Sequence, residues 1–222
     1  DLKTVKSNGY LRIPNADVYY GLYKIGVDKI NADVSLANNN IDIKNIGFTI
    51  LNQPLKLYGT VTSDAVSDLH LTANNLSLRG LLVAVGQAAL MKDNQINSGT
   101  VSMKADIQGK LDKINPVINL NLANINIKNV PASTSIVAPT TTVSITSDGK
   151  TFGGQANSSN IRIINPAAKV SIPSINAQIK ENEILISQTP VTIEKIKTTV
   201  SGKITNYLTE KIGLNFITTG DI

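Results

Sequence analysis

The chain lacks several residue types that most functional sites depend on. Among its 222 residues there is no cysteine, no tryptophan and a single histidine. Without cysteine the protein has neither disulfide bonds nor a zinc–thiolate site. The lack of cysteine does not exclude an oxidising compartment. Aromatic residues make up 4% of the chain, so the core must consist mainly of Ile, Leu and Val, a composition that favours β-strands.

Long hydrophobic runs are also missing. No apolar run reaches the ~20 residues that a membrane-spanning helix needs, and the sequence does not open with a secretion signal. Strand-like segments lie close to both ends, at 10–27 and 212–222. We therefore expect the sequence to be a section of a longer protein.

The positive charge is dispersed along the chain. The formal net charge is +5 and the pI is about 9.3, but the lysines occur singly. No aromatic residues are interleaved with them to stack on bases. The sequence therefore predicts no nucleic-acid partner.

Apolar and polar residues alternate with a period of two through almost the whole chain. Successive side chains of a strand point to opposite faces, so this pattern predicts an all-β fold with one apolar and one polar face. The alternation favours antiparallel pairing, because strands covered on both faces read as continuous apolar runs. Turn-forming residues separate about 14 candidate strands. The main predicted turns lie at 38–40, 52–54, 63–68, 147–150, 157–160, 181–183 and 188–190.

One segment breaks the alternation. Leu81, Leu82, Val85 and Ala88 follow helical spacing, which predicts a short helix near 80–92. We expect this helix to pack over the apolar face of the sheet or to close one end of it. We interpret 1–222 as a single elongated domain built from repeats, with a subdivision near 80–98 as the alternative.

Glycine recurs at a similar place in the strand pattern. Four such glycines lie 50, 45 and 48 residues apart: Gly59, Gly109, Gly154 and Gly202. This spacing indicates loosely repeated units, and segments 40–61 and 182–204 give the clearest match. Because glycine inside a strand permits a bend or a bulge, we interpret these residues as structural.

Few residues are suited to chemistry. His70 lies on the predicted polar face, and no second histidine completes a metal or catalytic site. The acid pairs Asp64 with Asp68 and Glu181 with Glu183 fall in predicted turns, and their spacing matches no calcium loop. We predict no catalytic residue, no metal site, no cofactor and no enzymatic activity.

Three segments share a sequence pattern. In this pattern a strand ending in glycine is followed by a polar turn and then by a strand that alternates Leu or Ile with Asn. The segments are 50–82, 98–130 and 172–206. In this pattern the chain resembles the AsmA family, with its TamB and YhdP-type relatives, from about residue 30 onward. Residues 1–30 match nothing of that family, and its usual inner-membrane anchor is absent from this sequence.

The resemblance implies a fold, a function and a location. The fold is a long twisted antiparallel sheet curved into an open apolar groove. The function is lipid transfer, in which the groove shields phospholipid acyl chains between inner and outer membranes. The location is the periplasm of a diderm bacterium, with the parent protein anchored in the inner membrane and with membrane-embedded envelope partners.

Ten apolar residues of the alternating strands are the candidates for lining the groove. They are Ile41, Ile43, Leu55, Leu57, Val61, Leu120, Leu122, Ile184, Ile186 and Ile204. Two other architectures fit the same alternation: a structural or adhesive β-solenoid, and a pair of β-sandwich domains acting as a binding module. The sequence leaves open whether the sheet is open, closed or a sandwich.

Overall fold

The structure, a computed structural model, describes residues 7–20, 25–50, 52–84, 91–111, 113–206 and 213–220. These residues form thirteen β-strands and one α-helix. The strands before the helix are β1 (Gly9–Tyr20), β2 (Ile25–Ala37), β3 (Asn40–Ile50), β4 (Gln53–Val61) and β5 (Val66–Ser77), and the helix α1 spans Leu78–Ala84. The strands after it are β6 (Asn94–Lys110), β7 (Lys113–Asn129), β8 (Thr134–Ser147), β9 (Phe152–Asn165), β10 (Ala168–Lys180), β11 (Glu183–Ile193), β12 (Ile196–Thr205) and β13 (Gly213–Gly220).

All thirteen strands belong to one antiparallel sheet whose spatial order is the order of the chain. In the described part of the chain β1 pairs with β2 and β13 with β12, so the sheet is open at both edges. The predicted all-β class and antiparallel pairing are confirmed. The sheet also continues across the helix, because β5 pairs directly with β6. Neither a parallel solenoid nor a pair of sandwiches describes this arrangement.

The pairing register explains why the alternation extends over the whole sheet. A single row of cross-strand partners crosses every strand, and each member is apolar or glycine. The row is Ile13, Ala32, Ile46, Leu57, Leu71, Ala105, Ile118, Ile145, Gly154, Ile179, Ile184, Ile204 and Leu214. In every strand a slip of one residue in at least one direction would place a polar side chain in this row, so burial of the face favours the observed register.

In several strands the alternation changes phase by one residue without ending the strand. Asn124 in β7 and Asn160 in β9 have φ angles of 54° and 53°. This left-handed conformation is typical of a β-bulge, and asparagine adopts it more readily than most residues. The bulge in β7 keeps Leu122 and Ile125, three residues apart, on the same face.

Prolines lie opposite these bulges. Ala123 pairs with Thr140 and Ile125 with Ala138, which places Asn124 across from Pro139. Proline has no N–H to donate and is normally excluded from central strands. A neighbouring bulge interrupts the regular ladder at the same point, which makes the position compatible with proline.

The bulges account for the two kinds of error in the sequence-based prediction of strands. Apolar runs on either side of Asn124 read as two strands but form the single strand β7, and the sheet has thirteen strands rather than about 14. The turns predicted at 157–160 and 188–190 are wrong, because these residues lie inside β9 and β11. The turns at 38–40, 147–150 and 181–183 are confirmed.

The helix predicted near 80–92 is confirmed at 80–84 but begins earlier, at Leu78, and residues 85–90 lie outside the described part of the chain. The helix begins directly after β5. The Ser77 hydroxyl accepts a hydrogen bond from the Gly80 N–H at 3.2 Å, which is the role of an N-cap. The best-buried apolar cluster lies beneath this helix and consists of Ala73, Leu76, Leu78 and Val101.

The recurring glycines lie where a neighbouring strand approaches closely. A Cβ atom added to Gly154 would lie 2.1 Å from the carbonyl oxygen of Ser144. Gly59 has the same conflict with the carbonyl of Asp68 and also a φ of +132°, which disfavours other residues. These positions therefore need glycine for steric reasons.

The clearest repeat in the sequence corresponds to two equivalent hairpins. In β3–β4, Ile41 pairs with Val61 and Ile43 with Gly59, and a register shift follows Ile43. In β11–β12, Ile184 pairs with Ile204 and Ile186 with Gly202, and a register shift follows Ile186. Each hairpin therefore sets a strand glycine opposite an isoleucine of the preceding strand.

Candidate ligand-binding face

The most extensive feature of the molecule is one face of the sheet, here called the apolar face. It contains the row described above and further rows parallel to it. The second row is Ala73, Met103, Leu120, Val143, Ala156, Ala177, Ile186, Gly202 and Phe216. Both rows run from strand to strand without a charged member, so the face offers continuous contact to an apolar ligand.

The register places all ten predicted groove residues on this face. Leu57, Ile184 and Ile204 belong to the first row, and Leu120 and Ile186 to the second. The other five pair with residues of the same face. Their pairs are Ile41 with Val61, Ile43 with Gly59, Leu55 with Phe48, and Leu122 with Val101.

Sequence reasoning left several members of the first row out of the predicted set. Ile118, Ile145 and Ile179 occupy it on β7, β8 and β10. Their signal was present, because each belongs to an alternating apolar run. What the sequence alone lacks is the register, which shows that these residues lie in line with Leu57 and Ile184.

Exposure differs along the apolar face. Beneath α1, Leu76 and Val101 are 2% and 1% exposed. In the first row, Leu57, Leu71 and Ile118 are half-buried, and so are Ile145, Ile179, Ile184 and Ile204 on β8 to β12. On the edge strand β13, Leu214 is 66% exposed. The face is therefore a core around Leu76 and Val101 and a partly accessible surface along the first row.

One polar pair lies on the apolar face. Thr141 and Ser158 are cross-strand partners in the row that continues from Val101 and Leu122. Their hydroxyl oxygens are 2.7 Å apart, and Ser158 also donates to the carbonyl of Thr140 at 3.1 Å. Because the two hydroxyls satisfy each other, the pair interrupts the apolar surface without leaving an unpaired polar group.

The opposite face of the sheet is polar and carries the ion pairs. His70 lies there, as predicted, and contacts the Asp106 carboxylate through Nδ1. The Lys104 ammonium lies 3.1 Å from the same carboxylate. The hydrogen bond from His70 has the largest effect on the pKa of Asp106 and the hydrogen bond from Lys104 has the next largest. Both lower this pKa below its ordinary value.

Two acids at the ends of the predicted turns 63–68 and 181–183 belong to the strands that follow these turns. Asp68 belongs to β5 and accepts a hydrogen bond from Gln108 at 3.0 Å. Glu183 opens β11 and pairs with Lys180 and Lys203. The hydrogen bond from Lys180 lowers the pKa of Glu183. Each carboxylate therefore interacts with a side chain of a neighbouring strand and helps to hold the strands together.

A hollow of about 480 Å³ lies on the polar face between β6 and β9. Two rows of cross-strand partners contribute its polar lining: Lys104, Asn119, Ser144 and Gln155, and Ser102, Asn121, Thr142 and Asn157. The lining offers amides, hydroxyls and the Lys104 ammonium group. Among the described residues, no three His, Asp or Glu side chains are grouped so as to hold a metal ion.

In the described part of the chain no helix is both long and apolar enough to cross a membrane, and α1 has only seven residues. No family model matches the sequence, and neither a curated protein nor a solved structure matches it. The geometry of the two faces therefore carries the functional argument. The apolar face offers a continuous hydrophobic surface, and the polar face carries the ion pairs.

Proposed function

We propose that this chain is a lipid-binding segment of a lipid-transfer protein, and that phospholipid acyl chains lie on its apolar face. The supporting observation is the first apolar row, which crosses all thirteen strands and is only half-buried from β8 to β12. Soluble proteins rarely expose continuous apolar patches of this size without a partner. An acyl chain is a linear apolar ligand that matches a linear apolar surface.

The dimensions and energies of the face suit transfer. Thirteen strands at a spacing of ~4.8 Å give a track roughly 58 Å long. A 16-carbon chain gains on the order of 12 kcal/mol on leaving water, at ~0.8 kcal/mol per methylene. Relative to a bilayer the gain is near zero, so the lipid can enter and leave the track without being trapped. No catalytic group is needed, and we expect no enzymatic activity.

The proposed setting is the periplasm of a diderm bacterium, with membrane-embedded envelope partners at the ends of the path and a parent protein anchored in the inner membrane. The resemblance of 50–82, 98–130 and 172–206 to the AsmA family supports this setting. The open edges of the sheet are compatible with it, because an unclosed sheet does not seal its apolar face by pairing its own edge strands.

A structural or adhesive surface role is the alternative. Such a protein needs a stable scaffold and a binding exterior, and the hollow on the polar face is the feature that favours this role. It leaves the apolar face unexplained, however, since a purely structural protein gains stability by burying such a surface. We therefore prefer lipid binding.

A transfer assay with matched variants tests the proposal. Ile145→Glu with Ile179→Glu places two charges in the first row of the apolar face. Ser144→Glu with Gln178→Glu places the same charges on the same two strands but on the polar face. We expect transfer of a fluorescent phospholipid between vesicles to fall at least tenfold for the first pair and to stay near wild type for the second. Equal transfer by both double variants would count against the proposal.

A further inference from the structure

The two edge strands of the sheet differ in how they are protected against further pairing. An edge strand presents a row of unpaired backbone N–H and C=O groups, and proteins usually interrupt that row with charged residues, proline or bulges. Strand β1 has all three features. It contains Pro14, its Arg12 pairs with Asp33 at 3.5 Å, and two register shifts interrupt its ladder with β2 between Ile13 and Val18.

Strand β13 has none of these features. Its sequence, GLNFITTG, contains no charged residue and no proline. Its eight residues pair with β12 in an unbroken register, from Gly213 with Thr205 to Gly220 with Thr198, and none of them has a left-handed φ. In the described part of the chain no strand pairs with the other side of β13. This edge is therefore regular, uncharged and open to another strand.

The side chains of β13 favour a neighbour on its open side. The strand breaks the alternation, because Phe216 and Ile217 are consecutive apolar residues that point to opposite faces. Phe216 belongs to the second row of the apolar face and is 45% exposed. Ile217 lies on the polar face, where it pairs with Ser201, and is 64% exposed. An added strand would cover part of both side chains, since cross-strand partners contact each other on each face.

We infer that β13 pairs antiparallel with β13 of a second copy of this chain, about a two-fold axis perpendicular to the sheet. This symmetry keeps the apolar faces of both copies on the same side, so the apolar rows continue across the interface. It sets Ile217 opposite Ile217 of the partner subunit and Phe216 opposite Thr218 of the partner subunit. No like charges meet, because β13 is uncharged. Pairing of β13 with β1 of another copy would instead meet Pro14 and the irregular β1 ladder.

Cysteine cross-linking tests this interface without interference, because the chain contains no cysteine of its own. Directly opposite residues of antiparallel strands have Cα atoms about 4.5–5.5 Å apart, which is within the reach of a disulfide. With diamide as the oxidant, Ile217→Cys should therefore give disulfide-linked dimers on a non-reducing gel. Leu11→Cys places a cysteine at a site on β1 that is 55% exposed, and it should stay monomeric under the same conditions.

Sedimentation analysis of the 222-residue chain over a series of protein concentrations supplies the second readout. Ile217→Lys sets two ammonium groups opposite each other, so we expect the dissociation constant of the dimer to rise at least tenfold. Leu11→Lys places the same charge on β1 and should leave that constant unchanged. Circular dichroism shows whether each variant keeps its fold, and Ile217→Cys tests the same contact with a smaller change.

Three results would overturn the inference. They are a wild-type chain that is monomeric at every concentration, a dimer that Ile217→Lys does not weaken, and cross-linking through Leu11→Cys in place of Ile217→Cys. A monomer would leave the β13 edge to a strand from another protein or from a longer parent chain. Because the pairing needs no bound lipid, none of these results bears on the proposed function, which the vesicle transfer assay tests separately.

Discussion

Two regions of the apolar face have the same kind of sequence but different environments. Under α1, the strands β5 and β6 contribute Leu76 and Val101, which are almost fully buried. Along the first row the face carries half-buried side chains such as Ile118, Ile145 and Ile179. In both regions apolar residues alternate with polar ones at the same period. The alternation therefore defines a face, and the element that packs on it decides which part of that face is a core and which part stays accessible.

The largest difference between the two regions should appear when a charge is placed in each. Val101→Asp buries an unpaired carboxylate and should cost about 3–5 kcal/mol of unfolding free energy. Ile179→Asp leaves its carboxylate accessible to water and should cost about 1 kcal/mol. Urea denaturation followed by circular dichroism measures both. Equal losses of unfolding free energy would show that the two regions are equally accessible to water.

Adjacent glycines in β9 give the second comparison, within the uncovered region. Gly154→Ala would set a Cβ atom 2.1 Å from the Ser144 carbonyl, whereas Gly153→Ala would meet its nearest atom at 3.5 Å. We expect the first change to lower the unfolding free energy by roughly 1–3 kcal/mol through steric strain. The second should have little effect. Thermal unfolding of both variants distinguishes them, and equal melting temperatures would contradict the close approach of β8 and β9.

The hydroxyl pair at the border of the two regions should show a smaller, non-additive effect. Thr141→Val removes the hydroxyl that Ser158 faces at 2.7 Å and should cost about 0.5–1.5 kcal/mol. Thr141→Val with Ser158→Ala replaces both partners by apolar groups and should cost less than the sum of the single changes. A double-mutant cycle in urea gives the coupling. Strict additivity would mean that the two hydroxyls do not interact.

The smallest effect concerns the polar face, which should respond to acid independently of the apolar face. Because His70 and Lys104 lower the pKa of Asp106, the folded protein holds the ionised carboxylate more strongly than the unfolded chain does. This stabilisation is present above the ordinary aspartate pKa near 3.8 and is lost as the pH falls through the lower folded value. Asp106→Asn should therefore flatten the part of the fall in stability that occurs as the pH drops below 3.8. An unchanged profile would assign the acid sensitivity to other groups.

Much of the fold follows from local sequence patterns. Alternation predicts strands, their antiparallel pairing and the face on which Leu57 or Ile184 lies, because side-chain direction in a strand has a fixed period. The strand glycines could be predicted as well, because they recur at a similar place in the strand pattern. The bulges at Asn124 and Asn160 could not, since a shift in phase resembles the end of one strand and the start of another. Whether the sheet stays open depends on pairing between strands that are distant in the sequence. The local alternation does not determine this pairing.

The candidate site was predictable in part. All ten predicted residues share the apolar face, but Leu120 and Leu122 lie against the cluster under α1, whereas Ile184 and Ile204 lie on the uncovered part. Nothing in the pattern of β7 distinguishes these cases. The cover comes from a helix about 40 residues earlier in the chain, and its docking position is a property of the tertiary fold.

The central claim is that the uncovered part of the apolar face binds lipid. Native mass spectrometry of the chain purified from a bacterial host without detergent, with extraction of bound lipid, tests it most directly. The account predicts co-purifying phospholipid that is lost in Ile145→Glu with Ile179→Glu and retained in Ser144→Glu with Gln178→Glu. A folded chain that carries no lipid, or lipid retained equally by both double variants, would contradict it.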